Sequence, residues 1–98
     1  MSTVLVFERL PVHPDAVDTF ADRLRASLEL MHSCPGLLWA DAAEAMDDQP
    51  SWVVLSEWRT AADADAWESD PGAVELREAL DPLLRGEATR RRFADQPG

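Results

Sequence analysis

The apolar residues of the chain follow two patterns, one with a period of two and one with spacings of three and four. Segments with the period of two that are rich in β-branched and aromatic residues predict strands, here at 4–10 and 52–58. Segment 37–46 is predicted to form a hairpin with the strand at 52–58, because only a short turn-like stretch separates the two. A last strand is predicted at 87–93.

Helical spacing follows the first and third predicted strands. After Pro14, an apolar stripe at intervals of three and four predicts an amphipathic helix that ends at Pro35-Gly36. A short helix is predicted from Thr60 to Trp67, and a longer one from Pro71 to a stop at Gly86. The resulting order, β-α-β-β-α-β, predicts an α+β protein with a ferredoxin-like antiparallel sheet.

The strand at 52–58 is apolar on both faces, so both faces need a cover. One face carries Trp52, Val54, Ser56 and Trp58. The opposite face carries Val53, Leu55 and Glu57. We expect the helices to cover one face and leave the tryptophan-bearing face to a second copy of the sheet. This arrangement predicts a homodimer built as a dimeric α/β barrel.

Composition narrows the possible classes of protein. The 98 residues suit one domain spanning 1–98, with a core at about 4–93 and a short tail. The net charge of −10 argues against binding to nucleic acid or to an anionic membrane surface, and no apolar run is long enough to span a bilayer. No signal-peptide pattern is visible, and Cys34 has no cysteine to pair with, so we expect a cytoplasmic setting.

Several short motifs resemble one family, the antibiotic biosynthesis monooxygenases, which are small dimeric α+β barrel proteins. The resemblance extends over about 4–93. It rests on Ser33-Cys34-Pro35-Gly36-Leu37, Glu57-Trp58, Asp70-Pro71, Glu75-Leu76-Arg77-Glu78-Ala79-Leu80 and Pro82-Leu83-Leu84.

The chain looks most similar to the cofactor-free branch that oxidises phenolic anthrone-type polyketides to quinones. The resemblance implies that Trp58 and Arg77 occupy two of that branch's four functional positions. Val54 and Ala64 stand where the branch has Asn and Tyr. Trp67 resembles a residue of the haem-degrading branch, but the chain lacks a histidine ligand near Arg77.

The residues also permit a chemical argument for oxygenation without a cofactor. Neither a dinucleotide fingerprint nor a metal-ligand cluster is visible in the sequence. A phenolic substrate supplies its own electrons to O2 once it is deprotonated, so the protein needs an apolar pocket, a base and a positive group. We expect Glu8 to be the base and Arg77 to stabilise the anion. The predicted substrate-binding residues are Trp52, Val54, Ser56 and Trp67, and Trp58 completes the catalytic set.

Each of these residues also has a structural interpretation. Trp52 and Trp58 suit a core or a dimer interface, Trp67 suits a packing anchor, and Glu8 and Arg77 suit ion pairs. The run at 90–92 is predicted to be a solvated or cross-dimer cluster of charges rather than an anion site. The alternative function is therefore a non-oxygenase member of the same fold, which binds a small molecule or acts as an isomerase or cyclase.

Overall fold

A computed structural model describes residues 2–95 of the chain. Its helices and strands, in chain order, are β1 (Thr3–Pro11), α1 (Val17–His32), β2 (Leu37–Glu44), β3 (Ser51–Trp58), α2 (Ala61–Ser69), α3 (Pro71–Leu80) and β4 (Thr89–Asp95). The predicted order of elements is confirmed. The last strand starts two residues later than predicted and includes Asp95, which was expected to lie in the tail. The rest of that predicted tail lies outside the described residues.

The four strands form one antiparallel sheet in the order β2-β3-β1-β4. Strand β1 lies in the centre, where Glu8 is opposite Val54 of β3 on one side and opposite Arg90 of β4 on the other. Both neighbours of β1 therefore bring a side chain to the face on which Glu8 lies. This is the predicted ferredoxin-like arrangement, and the register decides which residues meet at the site.

The two shorter helices begin at side-chain caps, of which the one at Thr60 was predicted. The hydroxyl of Thr60 accepts a hydrogen bond from the backbone N–H of Asp63 at the start of α2. The carboxylate of Asp70 accepts one from the N–H of Ala73 at the start of α3, at 3.0 Å, and Pro71 occupies the first turn of that helix. These caps satisfy N–H groups that the helix cannot pair internally.

The turn between α1 and β2 depends on Gly36, which has a φ angle of +85°. A side chain is strained in this left-handed region, and a Cβ atom here would lie 2.3 Å from the carboxyl group of Asp63. The carbonyl of Gly36 also accepts the N–H of Arg59 at 2.7 Å. Gly36 therefore lets the end of α1 approach the start of α2 closely.

The core lies between the helices and one face of the sheet, and this face is not the one expected. Val54, Ser56 and Trp58 are buried on the helix side, where the core cluster also includes Phe20 and Leu24 of α1. The prediction that the tryptophan-bearing face is open was wrong. Alternation along a strand specifies which residues share a face, but with two apolar faces it does not specify which one the helices cover.

The face without helices carries the alternate residues of the same strands. Leu5, Phe7, Val53 and Leu55 lie on it and are half-buried by their neighbours within the sheet. Trp39 and Phe93, on the two outer strands, are 42% and 43% exposed. We name this set of residues the open face.

Candidate active site

The main candidate site is a cavity of about 260 Å³ between the sheet, α1, α2 and α3. Its apolar walls come from Leu10, Met31, Trp67, Leu80 and Ala88. Its charged groups are Glu8, Arg77, Asp81 and Arg90. Apolar walls with a few convergent charged groups are typical of sites that bind small organic molecules.

Glu8 and Arg90 form an ion pair on the wall of this cavity. The Nη2 atom of Arg90 donates to Oε2 of Glu8 at 2.7 Å. Their side chains are only 21% and 31% exposed, so water screens the pair incompletely. The structural interpretation of Glu8, a strand carboxylate paired with an arginine, is therefore realised, and the pair faces the candidate site.

Arg77 enters the cavity from α3 and is held by the end of α2. Its Nη1 atom donates to the backbone carbonyl of Glu68 at 3.3 Å, whereas the structural interpretation of Arg77 was an ion pair with an acid. The carboxylate of Glu68 lies 3.5 Å from Nη1 of Arg90. One residue of α2 therefore contacts both guanidinium groups of the cavity.

The predicted arginine cluster divides between the two faces of β4. Arg92 pairs with Glu68 at 3.0 Å and with Asp65 at 2.8 Å, and hydrogen bonds to these carboxylates, Glu68 first, raise the pKa of Arg92. Arg91 points to the open face and lies 5.0 Å from the ring centre of Phe93. Arg90 and Arg92 pair with acids of their own chain and, as whole residues, are exposed, in keeping with a solvated run of charges.

Trp58 lies beneath the cavity and is 1% exposed. Its ring stacks on that of Trp67 with centroids 6.4 Å apart, and its Nε1 atom donates to Oγ of Ser56 at 3.0 Å. Trp58, Ser56 and Val54 line a small void of about 20 Å³, which shares Glu8 and other wall residues with the main cavity. Trp58 therefore contacts the site through its inner wall.

Trp52 lies apart from the other predicted site residues. It lines a separate cleft of about 170 Å³ together with Leu24, Leu28 and Asp41. Its Nε1 atom is buried and has no hydrogen-bond partner among residues 2–95. The structure thus brings six of the seven predicted site residues around the cavity and its adjoining void, and leaves Trp52 outside.

Sequence reasoning missed three charged residues at the site: Glu68, Asp81 and Arg90. Arg90 was detectable only from the pairing of β1 with β4, which places it directly opposite Glu8. Glu68 and Asp81 lie near helix ends, where an acid in the sequence is usually a solvated residue. Their contacts depend on how α2 and α3 pack, which periodicity does not reveal.

Two kinds of feature are absent from the described part of the chain. Within residues 2–95, no three His, Cys, Asp or Glu side chains are grouped so that they could hold a metal ion. No helix in that range has the length and apolar character needed to cross a membrane.

Comparison with known proteins places this chain in a family. Residues 3–79 match the antibiotic biosynthesis monooxygenases. The chain belongs to this family. The resemblance expected from the sequence motifs is therefore confirmed, and membership supports a monooxygenase-type function for this antibiotic biosynthesis monooxygenase domain.

The chain is also similar to part of a much longer protein. The chain is 26% identical over 72 residues to protein SchA of Streptomyces halstedii, an alignment that includes 74% of this chain but 17% of SchA. The chain thus spans a small part of the length of this curated relative.

Solved structures confirm the fold along almost the whole chain. SnoaB, a cofactor-independent oxygenase from Streptomyces nogalater, superposes with a TM-score of 0.88 at 18% identity, covering 100% of this chain and 97% of SnoaB. Rv0793 from Mycobacterium tuberculosis gives a TM-score of 0.89 at 22% identity, covering 99% and 98% of the two chains. A conserved protein from Methanosarcina mazei Go1 gives 0.91 at 17% identity, covering 98% and 95%.

Proposed function

We propose that this protein is a cofactor-independent monooxygenase that oxidises a phenolic, polyketide-like aromatic molecule with O2. The observation that carries the proposal is the cavity, in which a carboxylate and a guanidinium group lie among apolar walls. Family membership supports the reaction class. SnoaB, a structural neighbour with the same fold, is a cofactor-independent oxygenase.

The proposed reaction begins with transfer of a substrate proton to Glu8. The resulting anion is stabilised by Arg77 and gives one electron to O2, which removes the need for a flavin or a metal as electron donor. Recombination of the two radicals forms a C–O bond and, after protonation, a hydroperoxide. Cleavage of the O–O bond with loss of the remaining C–H proton then gives a carbonyl group and one molecule of water.

The aromatic walls have a separate role in this proposal. Trp67 lines the cavity itself, and Trp58 supports Trp67 from the buried side through the stacked contact. Val54 and Ser56 limit the depth of the site at the small void. The substrate is placed against these residues, and Trp52 in its separate cleft is not among them.

A second candidate function has one specific observation in its favour. Val54 and Ala64 both line the inner void, at the two positions where the quinone-forming branch is expected to have Asn and Tyr. Two polar side chains are therefore replaced by apolar ones. The same cavity then suits a protein that binds an aromatic ligand, or an isomerase or cyclase in which Glu8 moves a proton and O2 takes no part.

We propose in addition that the protein is a homodimer that acts in the cytoplasm on a small aromatic substrate. The open face is apolar at its centre and carries exposed Trp39 and Phe93 at its sides. A second sheet laid on it would remove this area from water. Cys34 is a free thiol in the structure, in keeping with a reducing compartment.

Oxygen uptake with an anthrone substrate and no added cofactor tests the proposed reaction. We expect uptake that depends on the protein and falls at least tenfold in Arg77→Ala, a loss of about 1.4 kcal/mol in transition-state stabilisation. Arg59→Ala is the matched control, because Arg59 is exposed and lies outside the cavity. Substrate turnover without loss of O2 would instead support the isomerase or cyclase. Equal rates in the two variants would remove Arg77 from the mechanism.

A further inference from the structure

The Glu8–Arg90 pair is the closest contact between opposite charges at the cavity. Both side chains line the main cavity and the small void beneath it, so a ligand that fills either space meets the pair. At 2.7 Å and with limited exposure, the pair is a preformed anion site that the protein's own carboxylate occupies. Any acidic ligand entering the cavity has to compete with Glu8 for Arg90.

We propose that Arg90 is a second anion-binding residue of the cavity. When a ligand with an acidic hydroxyl group on an aromatic ring binds, Arg90 releases the carboxylate of Glu8 and pairs with the ionised oxygen of the ligand. The ligand's O–H bond breaks, an O–H bond forms on Glu8, and the electron pair stays on the ligand oxygen. No oxidant or reductant is needed for this step. The inference deepens the proposed function, because it rests on the same cavity and assigns the substrate an acidic hydroxyl group.

The exchange leaves the total charge of the cavity unchanged. Once Glu8 has taken the proton it is neutral and no longer compensates the charge of Arg90. The carboxylate of Glu68, which Arg90 shares with Arg92, compensates this charge only in part, so the new oxyanion takes the place of the Glu8 carboxylate. The proton transfer and the transfer of the ion pair therefore favour each other.

Glu68 keeps Arg90 in place during this exchange. Its Oε1 atom lies 3.5 Å from Nη1 of Arg90, on a different nitrogen from the one that binds Glu8. The other oxygen of Glu68 is taken by Arg92 at 3.0 Å. Arg90 is thus held through its Nη1 atom while its Nη2 atom changes partner. A charged group that is already fixed in position stabilises a developing charge well.

A purely structural role for Arg90 predicts a different result. Arg90 and Arg92 lie on the same face of β4 and both bind Glu68, so both join β4 to α2. Only Arg90 lines the cavity. If the contacts serve only to hold the strand, replacement of either arginine should have the same effect on ligand binding.

Alizarin, a hydroxyanthraquinone whose colour changes when its hydroxyl ionises, tests the exchange without any oxygen chemistry. The titration is done at a pH where about one-tenth of the free dye is ionised. We expect wild-type protein to bind the dye mainly in its ionised form. Glu8→Gln imitates the protonated glutamate and removes the carboxylate that competes for Arg90, so this variant should bind the ionised dye more tightly than wild type does at the same pH.

The arginine variants separate the anion site from the structural contact. Arg90→Gln should weaken binding of the ionised dye at least tenfold, Arg90→Lys should restore part of it, and Arg92→Gln should stay within about twofold of wild type. Neutral dye on the wild type, no binding of the dye, or equal losses in Arg90→Gln and Arg92→Gln would overturn the inference. Ionised dye on a protein that shows no oxygen uptake would keep this inference and reject the oxygenase.

Discussion

The two faces of the sheet carry similar apolar residues, but helices cover only one of them. Alternate residues of β3 give Val54 and Trp58 to the covered face and Val53 and Leu55 to the open face. The covered residues are buried by α1 and its neighbours, whereas the open residues are shielded only by the sheet itself. Apolar character alone therefore does not separate a core from an interface; the packing of the helices does.

The contrast between the faces is also seen in two glutamates, Glu8 and Glu57, which differ in their partners. Glu8 on the covered face binds the guanidinium of Arg90 beside a cavity. Glu57 on the open face accepts hydrogen bonds from the hydroxyl of Thr3 and from Nε1 of Trp39, with the carboxyl group of Asp95 beside it. The guanidinium beside Glu8 is a cation that a ligand in the cavity can bind. Glu57 is instead held by the uncharged donors of Thr3 and Trp39 within an apolar surface.

The largest expected effect comes from a pair of substitutions on the two faces of β3. Trp58→Ala should lower the free energy of unfolding by about 3–5 kcal/mol, because it leaves a large cavity beneath Trp67. Leu55→Ala, on the open face of the same strand, should cost less than half as much in dilute protein. Urea unfolding of both variants measures the difference, and equal losses would contradict the assignment of the faces.

An intermediate effect is expected when a charge is placed at the centre of the open face. Leu55→Asp would bury one carboxylate from each copy in the proposed homodimer, and we expect the dissociation constant to rise about a hundredfold, or about 2.7 kcal/mol. Sedimentation equilibrium measures this constant. Ala26→Asp adds the same charge to an exposed site on α1 and should leave the dimer intact. A dimer unaffected by Leu55→Asp would show that subunits associate through another surface.

The smallest effect concerns the acids of the open face. Hydrogen bonds from Thr3, then Asp95 and Trp39, hold the pKa of Glu57 below its ordinary 4.5, whereas the hydrogen bond with Glu57 raises the pKa of Asp95 above 3.8. The contribution of Asp95 is therefore complete below pH 3.8 and disappears as the pH rises through its raised pKa. The contribution of Glu57 is complete above pH 4.5 and disappears as the pH falls through its lowered pKa.

Asp95→Asn tests this pair, because the amide remains a hydrogen-bond donor to Glu57 and carries no charge. We expect the Tm of the variant to exceed that of wild type by about 1–2 °C at neutral pH, and the difference to vanish in acid. Thermal unfolding as a function of pH measures both values. The same Tm difference at every pH would show that the two carboxyl groups do not share a proton.

The order of elements was predictable because strand and helix periods, the stop at Pro35-Gly36 and the caps at Thr60 and Asp70 are local signals. The covered face was not, since both faces of β3 are apolar and the choice between them depends on the phase of the strand relative to the crossover helix.

The candidate site was predictable only in part, because some of its residues are brought in by contacts between distant parts of the chain. Glu8, Arg77 and Trp67 were found from residue type and family motifs, and the structure brings them to one cavity. Arg90 was not found, because its place opposite Glu8 is a long-range consequence of strand pairing. Contacts between residues 82 positions apart in the chain leave no mark on local periodicity.

The position of β4 has a consequence during synthesis of the protein. Arg90 of this strand and Ala88 just before it complete the cavity, and β4 pairs with β1 from the other end of the described chain. A ribosome-bound chain that has exposed β1 through α3 therefore still has an unfinished cavity and an unpaired edge on β1. Closure of the cavity thus waits for the docking of β4, the last strand of the described residues, onto the first.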